Sequence, residues 1–181
     1  MRRFRSRSAT VLQAGFTAIE LMVATSIVAI LAALAAPAYR NLLDSYRVRR
    51  AVEDLSASLY LARVEAIRHG KSIVLLRLGP QDGCSGSSAT GRWDCGWILF
   101  LDRNGNGALD EGELLQRSAP AHGVAIRHSG DNNRLTIRRW GVLPIFGFAF
   151  EPASGSATHA RVLCSAGGGR LRSAEGTSEC E

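Results

Sequence analysis

Apolar residues recur along this chain in three rhythms, and each rhythm predicts a different element. From Phe16 to Ala36 the run FTAIELMVATSIVAILAALAA is almost unbroken, with Glu20 as its only charge. At 1.5 Å per residue such a helix crosses a hydrocarbon core of about 30 Å. Beyond Pro37, the residues Tyr39, Leu42, Tyr46, Leu55, Leu59, Ala62 and Ala66 follow mostly three- and four-residue steps among Arg, Asp and Glu. That spacing predicts an amphipathic helix with one apolar stripe, capped at Gly70. Pro37 lacks an amide proton, so a kink or local loosening is expected there. After Gly70 the period shortens to two. Strands are predicted over Ser72–Leu78, Trp97–Asp102, Leu114–Arg117, Val124–Arg127, Arg134–Arg138, Phe146–Glu151 and Arg161–Cys164, separated by Gly, Pro, Asn and Asp. Gln81–Asp94 and the tail after Ser165, both rich in Gly and Ser, read as the least structured stretches. A long helix followed by strands argues for an α+β fold, with the helix packed on an antiparallel sheet.

Charge sharpens this reading once it is located. The chain has a formal net charge of +6, and Arg2, Arg3, Arg5 and Arg7 precede the apolar run with no acid among them. Without those four arginines the excess falls to +2. The basicity is therefore mostly a topology signal that keeps the N-terminus cytoplasmic and sends the remainder across. Any anion site must be local. The four cysteines, Cys84, Cys95, Cys164 and Cys180, all fall on the translocated side. An even count in an oxidising compartment suggests two disulfides with three possible connectivities. Cys84–Cys95 and Cys164–Cys180 are favoured, because each closes a short, polar, glycine-containing loop. Without a Cys-x-x-Cys pair, a zinc site is not indicated.

A secretory signal peptide is the simplest alternative for the N-terminus. The apolar run is too long for it, Glu20 sits where an h-region carries no carboxylate, and a helical pattern continues past Pro37. Gly15-Phe16-Thr17-Ala18-Ile19-Glu20-Leu21 resembles the processing motif of type IV pilins and type II secretion pseudopilins; Ala18 departs from the usual leucine. The resemblance implies a leader over residues 1–15, cut by a prepilin peptidase between Gly15 and Phe16, and methylation of the new Phe16 amine. It implies a transmembrane segment over 16–37 and an amphipathic segment over 38–70. It also implies a single-pass protein of the bacterial inner membrane with a periplasmic head, which enters a filament of other pilins or pseudopilins. Glu20 would assist assembly: a lone carboxylate in hydrocarbon is costly, and the Phe16 amine of a neighbouring subunit would compensate it.

The head, residues 71–165, resembles the domain shared by FimT and GspH proteins. The match lies in Leu61-Ala62-Arg63-Val64-Glu65-Ala66-Ile67-Arg68 and in Gly96-Trp97-Ile98-Leu99-Phe100 running into Asp102-Arg103-Asn104-Gly105-Asn106-Gly107. In the tail, residues 166–181, Gly169-Arg170-Leu171-Arg172 resembles the GRxR motif of FimT proteins, which implies binding of double-stranded DNA for natural transformation. Arginines on alternate residues of an extended segment point the same way, about 6–7 Å apart, close to the phosphate spacing of one DNA strand. Guanidinium groups bind phosphates bidentately and without base preference. Glu175, Glu179 and Glu181 would oppose this.

Two other chemistries are weighed against that reading. Asp102, Asn104, Asn106, Asp110 and Glu113 fit the calcium-loop spacing D-x-[DN]-x-[DN]-G-x5-E. A strand rather than a helix precedes them, and Asn and Gly in series also make an ordinary hairpin turn. Catalysis finds no support: His69, His122, His128 and His159 are scattered, Ser85, Ser87 and Ser88 lack a nucleophile elbow, and no glycine signature implies a cofactor. Two non-catalytic functions follow. One is a DNA-capturing minor pilin, and the other is a GspH-like pseudopilin of type II secretion with a purely structural role.

Overall fold

The computed structural model describes residues 16–82, 84, 91–166, 169–176 and 180. The expected cleavage residue Gly15 lies outside them. The chain divides into two compact units, Met1–Tyr39 and Arg40–Glu181.

Helix α1 (Ala18–His69) begins with a cap written in the sequence. The Glu20 backbone N–H donates to Thr17 Oγ1 at 3.3 Å, and Glu20 occupies the third helical position, where a carboxylate favours the positive end of the helix dipole. In the first unit every described residue of the helix is exposed, and the segment is long and apolar enough to cross a membrane. Two of its hydroxyls are satisfied within the helix: Thr25 Oγ1 and Ser26 Oγ donate to the Met22 carbonyl at 3.0 and 2.7 Å. The helix continues through Pro37.

In the second unit α1 ends at His69, and Gly70, at φ 61°, supplies the left-handed cap. Its buried face comprises Asp44, Val48, Ala51, Val52, Leu55, Ser58, Leu59, Ala62 and Ala66. The expected stripe is thus right from Leu55 onward and wrong before it. Tyr39, Leu42 and Tyr46 are exposed. At 100° per residue, Tyr46 lies about 180° round the helix from Leu55, so these apolar residues mark the opposite face. Asp44 and Ser58 hide the true stripe because they are polar. Ser154 Oγ donates to Asp44 Oδ2 at 2.6 Å, and Trp97 Nε1 donates to Ser58 Oγ at 2.9 Å. Such bonds make burial of these groups tolerable.

The strands form two antiparallel sheets. The first runs β3 (Leu114–Arg117), β2 (Trp97–Asp102), β1 (Ser72–Arg77), β5 (Arg134–Ile137). The second runs β4 (Val124–His128), β6 (Phe146–Pro152), β7 (Arg161–Ala166), β8 (Arg170–Glu175). Alternation decides which side chains meet. Ile73, Leu75, Trp97, Leu99, Ile126, Phe148, Phe150 and Leu163 turn inward with the α1 stripe and form one core. Val74, Ile98 and Phe100 point to the other side of the first sheet, where they join Leu78, Cys95 and the half-buried Cys84 in a second, smaller cluster. The Cys84–Cys95 disulfide therefore belongs to a packed layer.

The seven expected strands are present, with ends displaced by no more than two residues. Two expectations of weak structure need correction. Trp93, in the stretch Gln81–Asp94, is fully buried, and its Nε1 donates to the Asn132 carbonyl at 3.0 Å. The tail contains an eighth strand, β8, which closes the edge of the second sheet. Its composition of Arg, Ser and Glu gives little strand signal, and the pairing with β7 that orders it is tertiary information.

Candidate functional site

The motif Gly169-Arg170-Leu171-Arg172 opens β8, and period-two geometry sorts its side chains. Leu171 is partly buried against the core, and it alternates with Arg170 and Arg172, which are exposed on the outward face. Arg170 pairs with Ala166 and Arg172 with Cys164 across the β7–β8 ladder, so small neighbours flank both guanidinium groups. Apolar anchor and cationic pair are thus built by one alternating sequence.

Three features present the pair. Cys164 is bonded to Cys180 with Cα atoms 5.6 Å apart, which fixes a distal point of the tail beside Arg172; Cys84–Cys95 is the other disulfide, as expected. Arg63, on α1, reaches the turn before β8: its Nη1 donates to the Gly169 carbonyl at 3.0 Å. A Cβ at position 169 would stand 3.0 Å from that same nitrogen, and the φ of 81° there also favours glycine. Finally, Glu175 accepts a 2.6 Å hydrogen bond from Arg161 Nη2, which neutralises the acid expected to oppose an anion. Glu179 and Glu181 lie outside the described residues. Among the described residues no ion pair engages Arg170, Arg172, Arg138 or Arg139.

Arg63 is the residue that sequence reading missed. It stands within the helix-end motif, but nothing in its local pattern indicates a partner 106 residues away.

The β2–β3 connection shows the opposite economy of charge. Asp102 is buried and accepts from the Gly105 and Gly107 N–H groups at 2.8 and 3.1 Å. Glu113 is buried and accepts from the Arg103 and Asp110 N–H groups at 2.8 and 3.2 Å. Asn104 and Asn106 close two further turns on the backbone and donate their amides to Asp110 Oδ2. Hydrogen bonds within the loop account for the residues that calcium spacing picked out. Among the described residues no group of three or more His, Cys, Asp or Glu is placed to hold a metal ion.

The histidines do not form a site. His128 packs against Trp93 and Phe148, and its Nδ1 accepts from the Gly130 N–H at 2.9 Å. Burial pushes its pKa down, a shift that Asp131 partly opposes. Phe16 and Glu20 are exposed in the isolated chain.

Comparison with known proteins places this architecture. Residues 51–169 match the family model described as type II transport protein GspH, which is more than half of the chain. Two fimbrial proteins of Pseudomonas aeruginosa are each 48% identical over 62 residues, covering 34% of this chain and 40% of their own length. Two crystal structures of the type IV minor pilin FimU from P. aeruginosa share the fold. One has a TM-score of 0.56 at 20% identity and covers 74% of this chain and 92% of its own; the other has a TM-score of 0.54 and covers 74% and 97%. A helix packed against antiparallel strands, joined to a match over the helix end and most of the head, means that the chain belongs to the GspH family of minor pilins and pseudopilins.

Proposed function

We propose that this protein is a non-catalytic filament subunit that captures DNA through Arg170 and Arg172. The observation that carries the reading is the pair itself: two arginines on one outward face of β8, without ionic partners among the described residues, beside a disulfide-tethered tail. Alternate residues on a strand are about 6–7 Å apart, which suits consecutive phosphates of one strand. Contacts of this kind are insensitive to base sequence and weaken as salt rises.

The assembly route follows from the N-terminal motif. A prepilin peptidase cuts between Gly15 and Phe16 and methylates the new amine. The apolar segment anchors the chain in the inner membrane with the head in the periplasm, and Glu20 meets the Phe16 amine of a neighbouring pilin. Mass spectrometry of membrane-extracted protein checks this: the expected N-terminus is methylated Phe16, and an intact Met1 would refute it.

The name of the matching family favours a second reading, a pseudopilin of type II secretion without a nucleic-acid partner. The relatives with fimbrial and type IV pilin names favour the pilus. An electrophoretic mobility shift on duplex DNA separates the two. Full-length protein in detergent is expected to retard the duplex, and the double variant Arg170→Ala/Arg172→Ala to release it. Equal mobility with both proteins would assign the chain to secretion.

A further inference from the structure

Among the described large apolar side chains of the head, Trp140 is one of the most exposed, at 72%. Of the three tryptophans, Trp93 and Trp97 are buried, so Trp140 is the one presented to solvent. It sits in a tight turn between β5 and β6. The Gly141 N–H donates to the Arg138 carbonyl at 2.8 Å, and Gly141 has φ 68°. This turn lies directly on α1. A Cβ at position 141 would fall 2.7 Å from Ile67 Cδ1 and 2.9 Å from Arg63 Cγ. Glycine permits both this close approach and the left-handed backbone without strain.

Arg63 makes the link to the cationic strand. Its methylene stem supports the Trp140 turn, and its guanidinium supports Gly169, next to Arg170. The two turns, 28 residues apart between Gly141 and Gly169, are thus seated on one side chain. The Arg139 guanidinium lies over the Trp140 ring, 5.0 Å from its centroid. The resulting surface combines a solvent-facing indole with arginines that have no ionic partner among the described residues.

We infer that this surface binds unpaired, single-stranded DNA, with Trp140 as the platform on which a base stacks while Arg170 and Arg172 hold phosphates of the same strand. The inference rests on the DNA reading given above and goes beyond it in naming the form of DNA. Stacking requires an accessible base face, which a closed duplex does not offer and a single strand or frayed end does. A cationic track with an interleaved aromatic is the general solution for single strands, and arginine contributes to the stack. A neighbouring protein subunit is the competing occupant, since Val142, Ile145 and Ile67 are also exposed. Such a partner would desolvate Arg138, Arg139, Arg170 and Arg172 without compensation unless it were acidic, whereas a phosphate backbone compensates them directly.

The test measures fluorescence anisotropy with a labelled mixed-sequence 20-nucleotide strand and with the corresponding duplex, using full-length protein in detergent. Trp140→Ala is expected to weaken single-strand binding about tenfold and to leave duplex binding within about twofold. Trp140→Phe, which keeps a stacking ring, is expected to restore most of the loss. Single-strand binding is also expected to quench tryptophan emission in the native protein and not in Trp140→Phe. Wild-type protein that binds neither probe would overturn the DNA reading itself. Binding of both probes with no loss in Trp140→Ala, or with equal loss for strand and duplex, would leave that reading standing and overturn this inference. So would intact binding together with failed incorporation of Trp140→Ala into filaments, because the surface would then belong to a neighbouring subunit.

Discussion

The β2–β3 loop and strand β8 each carry a charged motif beside an antiparallel pairing, and they use charge in opposite ways. In the first, Asp102 and Glu113 are buried and each accepts two backbone N–H groups. In the second, Arg170 and Arg172 face solvent without an ionic partner among the described residues, while Leu171 between them anchors the strand. A charged motif in sequence says nothing by itself about which case applies. The deciding question is whether the fold satisfies the charge, because a satisfied charge stabilises and an unsatisfied exposed one remains available to a ligand.

The largest expected effect comes from breaking the satisfied turn. Glu113→Ala removes a buried carboxylate that accepts from the part-buried Arg103 and Asp110 N–H groups, and it should lower stability by about 3 kcal/mol, given about 1.5–3 kcal/mol per hydrogen bond to a charged group. Urea denaturation of the full chain in detergent measures it. DNA affinity, taken under conditions where the variant is folded, should stay within twofold. A loss of binding from the folded variant would show that the two regions are not independent.

The opposite substitution should give the opposite split. Arg170→Ala/Arg172→Ala is expected to weaken duplex binding about tenfold at 0.15 M salt, equivalent to about 1.4 kcal/mol. The slope of log affinity against log salt should fall by about two, one for each phosphate contact. Stability should change by no more than about 0.5 kcal/mol, as is usual for surface positions. An unchanged salt slope would mean that these arginines do not touch phosphate.

This comparison also explains what could be read from the sequence and what could not. Strands such as Trp97–Asp102 were legible because apolar runs between turn residues carry their own punctuation. The start of the helix, Thr17 to Glu20, was equally local. The failures are positions where a partner remote in sequence decides. Asp44 and Ser58 lie on the buried stripe because Ser154 and Trp97 satisfy them. Trp93 is a core residue within a polar loop because Asn132 receives its indole N–H. β8 is a strand because β7 pairs with it. The arginine pair was visible as a motif, but the neutralisation of Glu175 by Arg161 and the brace from Arg63 arise only in the fold.

Arg63 offers a smaller and more discriminating effect. Arg63→Met keeps much of the methylene stem under Gly141 and deletes the hydrogen bond to Gly169, which is worth about 1 kcal/mol. Because the bond acts on the turn and not on phosphate, DNA affinity should fall about threefold while the salt slope falls by less than one. A salt slope reduced by a full unit would instead make Arg63 a direct phosphate contact.

The smallest effect concerns a group in neither region. Burial lowers the pKa of His128 from its ordinary value of 6.5. Below about pH 6.5 the unfolded chain therefore binds a proton that the folded chain refuses, and stability falls as the solution is acidified toward the depressed folded value. Above that window the contribution vanishes, since His128 is neutral in both states. His128→Gln keeps an acceptor for the Gly130 N–H and removes the titration, so its stability should vary less between pH 7 and pH 5 than that of the native protein. Equal pH dependence in the two proteins would move the acid sensitivity elsewhere. A fall in stability without a fall in DNA affinity of the folded protein would again separate a charge governed by the core from charges left for a ligand.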